Sequence, residues 1–129
     1  MDQPFPSGLA IAVKTFDDVA VVSVAGDVDH DVRAMLRETL AVALVRRPRA
    51  VVVDLAEVRF FGSTGLSALA WLHQAAETAA IEVTLVATQR SVLKPLTITR
   101  LDTLFPIHPT VTAALGRHGR QQVAQECGD

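Results

Sequence analysis

The chain has 129 residues, with 12 Lys and Arg against 14 Asp and Glu and a formal charge of −2. Half of the residues are hydrophobic, which excludes wholesale disorder, and the near-neutral balance excludes a global basic field for nucleic acid. The lone cysteine, Cys127, excludes an internal disulfide and a cysteine-built zinc site, and no apolar run reaches the length of a membrane span. One domain of this size buries a proper core. Met1-Asp2-Gln3-Pro4 lacks the basic-then-apolar plan of a signal peptide. A soluble, cytoplasmic protein is therefore expected, with neither nucleic acid nor membrane among its partners.

In chain order, residues 1–8 hold two prolines and read as a loose lead-in. Residues 9–14 and 19–25 are short β-rich runs, and Thr15-Phe16-Asp17-Asp18 between them suits a hairpin. Asp29 or Asp31 caps a helix reaching about Val45, with Val32, Met35, Leu36, Leu40 and Leu44 on one face; Pro48 stops it. Val51, Val52 and Val53 are β-branched without alternation, as in a strand buried on both faces. A short loop then leads to a helix from Ser63 to about Thr78, with Leu66, Leu69, Leu72 and Ala76 at helical spacing. Ser63 stands where an N-cap belongs, and Gly62 and Gly65 loosen the turn.

Residues 81–86 form another strand, and residues 91–99 a short helix that tolerates Pro95. Residues 106–109 leave room for a brief extended segment, and residues 110–115 close the domain as a helix. A hairpin followed by alternating strands and helices predicts an α/β fold: a single domain whose mixed β-sheet of about four to five strands has helices packed on it. The domain spans residues 9–116, and residues 117–129 are expected to be a flexible tail.

The run Asp54-Leu55, Val58, Phe60, then Ser63-Thr64-Gly65-Leu66 heading a helix, resembles the signature of the STAS domain, especially the bacterial anti-sigma factor antagonists. Gly26-Asp27-Val28-Asp29 is similar to the family's earlier Gly-Glu-Leu-Asp turn. The chain departs from the pattern at Gly62, where many members carry Asp. The resemblance implies a regulator that captures an anti-sigma factor and so frees a sigma factor for transcription. It also implies that the partner, often an ATP-dependent serine kinase, phosphorylates Ser63 and thereby loses the antagonist, which a separate phosphatase restores. Thr64 is the competing hydroxyl. Gly62, Ser63, Thr64, Gly65 and Asp29 are the expected contact residues. Trp71 joins them if its ring is exposed beside Ser63 rather than packed on a neighbouring helix. The chain has no P-loop or kinase motif, so no cofactor is expected and ATP belongs to the partner.

Two rivals follow. One is a STAS-type scaffold or small-ligand sensor that is not phosphorylated. The other is a serine hydrolase built on Ser63, with Asp102 and His108 downstream. Phe61 occupies the first glycine position of a nucleophile elbow, so no catalytic residue is assigned. Asp27, Asp29, Asp31 and Glu38 sit at calcium-loop spacing, but Val32 fills the required glycine position and a strand precedes them, so no metal is expected. Arg46, Arg47 and Arg49 read as cations at a helix C-terminus. His73, on the apolar face of the Ser63 helix, reads as a packed residue rather than a ligand.

Overall fold

The computed structural model describes residues 10–28 and 33–118. Strands β1 (Ala10–Phe16) and β2 (Val19–Val28) pair antiparallel. Their turn residues, Asp17 and Asp18, both have positive φ, at 48° and 68°. Two such residues make the turn whose twist matches that of paired strands, and Asp tolerates it because its short polar side chain bonds locally. Helix α1 (Arg33–Val45), strand β3 (Ala50–Phe61), helix α2 (Ser63–Ala79), strand β4 (Glu82–Val86) and helix α3 (Arg90–Ile98) follow. A 3-10 turn (Leu101–Thr103), strand β5 (Ile107–His108) and helix α4 (residues 111–118) complete the described fold.

The five strands lie in chain order, β1-β2-β3-β4-β5, and every pair after the hairpin is parallel. Each parallel crossover thus moves one strand in the same direction. Crossovers of a single hand then leave α1, α2 and α3 on one face of the sheet. Ala20, Val22, Val51, Val53, Leu55 and Leu85 pack with them there. The alternate residues Val19, Val21, Ala50, Val52 and Val86 turn the other way and meet Ala114 of α4. β3 lies at the centre with both faces covered, which is why Val51–Val53 carry no polar alternation.

Two features differ from expectation. β3 does not end at Leu55; it continues to Phe61, and no loop precedes α2. It carries two more residues than β2 over their shared length, and the register shifts between Ser23 and Ala25 and again between Gly26 and Asp27. These bulges bend the strand. Gly26 sits at the second shift with φ 108°, a conformation that a side chain would strain. The second difference is α4, which runs to residue 118, two residues past the expected end of the domain, and buries His118.

Candidate functional site

The bent end of β3 aims the chain into α2. Gly62 is the N-cap, extended at φ −93° and ψ −164°, and Ser63 is the first helical residue rather than the cap. The Gly62 carbonyl accepts from the amides of Gly65 and Leu66 at 3.0 and 3.2 Å, so the amides of Ser63 and Thr64 precede the first intrahelical bond. The Gly62 amide in turn donates to the Val28 carbonyl at 3.2 Å, which ties the helix start to the end of β2. No side chain caps the helix. The Ser63 hydroxyl is thus left exposed, while Thr64 beside it is buried. Gly65 has a packing role: a Cβ there would stand 2.4 Å from the ring of Phe61, which is only 4% exposed.

Gln89, between β4 and α3, was not singled out from the sequence. Its Nε2 donates to the carbonyls of Leu55 and Val58 at 2.7 Å, and to that of Ala56 at 3.3 Å. β4 pairs with β3 only as far as Asp54, so this amide serves carbonyls that have lost their neighbouring strand. Asp54 accepts the Ala56 amide at 3.1 Å, and Arg59 pairs with Asp27 at 3.4 Å across the bulge.

The profile of the STAS domain matches residues 10–114. The chain belongs to the STAS domain family. It is 30% identical over 110 residues to the anti-sigma-F factor antagonist RsfB of Mycobacterium tuberculosis, covering 85% of this chain and 89% of that protein. Its structure superposes on that of an anti-sigma factor antagonist from Mycobacterium paratuberculosis with a TM-score of 0.81 and 32% identity, covering 88% of this chain and 96% of the other. The Bacillus cell fate determinant SpoIIAA, in its phosphorylated form, shares the fold at a TM-score of 0.68 and 16% identity, covering 84% and 98%.

The STAS fold brings Gly62, Ser63, Thr64 and Gly65 together at the carboxyl end of β3. Asp29 and Asp31 lie outside the described residues, so the calcium-loop spacing is represented by Asp27, which is ion-paired, and Glu38 on α1. Among the described residues, no group of three or more His, Cys, Asp or Glu could hold a metal ion. Trp71 is half-buried against the core, and the Arg37 guanidinium of α1 lies 4.9 Å from its ring centre. It therefore sits at the α1–α2 seam, and the eight residues from Ser63 place it about 12 Å further along the helix axis. His73 packs edge-on against Phe105, with ring centres 5.6 Å apart.

The hydrolase constellation does not assemble. His108 pairs with Val86 and so shares its sheet face, the face of α4, whereas Ser63 heads a helix on the opposite face. Asp102 accepts from the Thr97 hydroxyl instead. Among the described residues, no helix is long and apolar enough to cross a membrane.

Proposed function

We propose that this chain is a cytoplasmic anti-sigma factor antagonist, not an enzyme. It binds an anti-sigma factor through the Ser63 end of the sheet and is switched by phosphorylation of Ser63 by that partner or an associated serine kinase. A phosphatase resets it. The observation that carries this reading is the pairing of an exposed Ser63 with a buried Thr64 at the start of α2. A kinase reaches the first hydroxyl and not the second. The names of the two relatives at 30% and 32% identity support the class of partner.

The fold tolerates the modification. A phosphate on Ser63 meets free amides and the positive end of a 17-residue helix, which favour an anion. Its effect therefore falls on the partner. It adds about −1.5 to −2 charges to a surface shaped for a hydroxyl. Burying that charge without a matched cation costs several kcal/mol, and about 1.4 kcal/mol is tenfold in affinity. Gly62 belongs to the same surface and Gly65 packs beneath it, whereas Trp71 serves the helix seam. Incubation with the cognate kinase and ATP, followed by mapping of the modified site by mass spectrometry, tests the reading. Phosphate on Ser63 with Thr64 unmodified is the expected result. No phosphate on either residue would leave an unphosphorylated scaffold.

A further inference from the structure

Beside Ser63 lies an apolar groove of about 590 Å³ between the end of β3, the start of α2 and one side of α3. Phe60, Leu66, Pro95 and Ile98 form its walls. Two of these are large apolar side chains left in water: Phe60 is 53% exposed and Ile98 69%. Exposed apolar walls around one depression mark a binding surface more often than chance would place them. Arg90 and Lys94, one turn apart on α3, stand at the rim. Among the described residues, no acidic residue lines the groove and neither cation meets an acidic side chain.

Gly62 explains how the groove is made. Its backbone is extended, a conformation any residue adopts, so glycine is not demanded there by φ. What its missing Cβ provides is room: a Cβ would stand 3.0 and 3.1 Å from Cε2 and Cζ of Phe60. The ring can therefore lie over Gly62, the residue before Ser63. A larger residue at 62 would push the ring outward. Because Phe60 is half in solvent it could yield at little cost to stability, but the groove would lose its wall.

We propose that this groove is a second contact for the anti-sigma partner, taking an apolar side chain carried on an acidic segment, and that Gly62 selects for it by seating Phe60. The apolar walls receive the side chain, and the two rim cations face the carboxylates beside it. The groove is open rather than enclosed and continues the face that presents Ser63, which favours a protein segment as the occupant. The inference rests on the function proposed above, since it names the chemistry of that partner's surface.

The test is titration of the purified anti-sigma factor against wild type, Phe60→Ser, Gly62→Asp, the double variant Arg90→Glu with Lys94→Glu, and Ser63→Asp, with melting temperatures measured in parallel. Phe60→Ser, Gly62→Asp and the charge reversal should each weaken binding about tenfold at nearly unchanged melting temperature. The charge reversal should also flatten the salt dependence of binding. If Ser63→Asp abolishes binding while Phe60→Ser stays within about twofold of wild type, the groove proposal is overturned and the Ser63 switch stands. If wild type does not bind an anti-sigma factor, both fall together. If laurate binds the groove at micromolar concentration, read from the Phe60 and Ile98 NMR signals, and Phe60→Ser leaves the protein affinity unchanged, the groove belongs to a small amphiphile and the proposal is overturned.

Discussion

The two halves of β3 do different work. From Ala50 to Leu55 the strand is buried, with only Asp54 partly exposed, and as far as Asp54 it is paired with β2 on one side and β4 on the other. From Ala56 to Phe61 it keeps β2, loses β4, and exposes Ala56, Glu57, Arg59 and Phe60. One side chain, Gln89, supplies donors where the fourth strand has stopped. The first half makes the fold, and the second carries Phe60 and leads into Gly62 and Ser63, the surface proposed for the partner. A strand can thus run continuously while its role changes at the residue where a neighbour leaves it.

The sharpest way to break this division is Leu55→Ala. Leu55 is buried at the end of the first half, so the cavity should cost about 2–5 kcal/mol. Urea unfolding would show it as a lower midpoint at unchanged slope; a loss under about 1 kcal/mol would remove the distinction between the halves. Next comes a contrast of two glycines. Gly65→Ala drives a methyl into the buried Phe61 ring and should cost about 1–3 kcal/mol. Gly62→Ala crowds the half-exposed Phe60 ring, with the Val28 carbonyl at an ordinary 3.6 Å, and should change stability by less than about 0.5 kcal/mol. Equal melting temperatures for the two variants would contradict the assignment of one glycine to packing and the other to the surface.

A smaller effect concerns pH and the first half alone. α4 backs Ala50 and Val52, and His118 pins it through Thr84 Oγ1 at 3.1 Å and Glu82 at 3.3 Å. Burial lowers the His118 pKa below its ordinary 6.5; Glu82 opposes this, and Arg117, Arg49 and His108 reinforce it. The folded chain therefore binds this proton less readily than the unfolded chain. The contribution to stability is complete above about pH 6.5 and is lost as pH falls from there toward the folded pKa. Between about pH 7.5 and about pH 5.5 the melting temperature should drop further for wild type than for His118→Gln. Identical drops would show that His118 does not couple to folding.

How much of this was legible in the sequence follows from the same division. The valine run of the first half and the helical spacing of Leu66, Leu69 and Leu72 are undisturbed periodic signals, and they placed the central strand, α2 and Ser63. The second half hid itself. Its buried residues are Val58 and Phe61, which follow the buried Leu55 at intervals of three because two bulges insert extra residues, so no strand period survives. α4 could have been extended from the sequence, since Val111, Ala114, Leu115 and His118 share a helical face. The Gln89 bonds and the seating of Phe60 over Gly62 join residues through space and leave no local pattern.

The central claim is that the charge at Ser63 decides partner binding without disturbing the fold. Calorimetric titration of the purified anti-sigma factor against wild type, Ser63→Ala and Ser63→Asp tests it most directly. Ser63→Ala should bind within about twofold of wild type, and Ser63→Asp at least about tenfold more weakly, with all three chains melting together. Wild-type affinity for Ser63→Asp, at an unchanged melting temperature, would contradict the account.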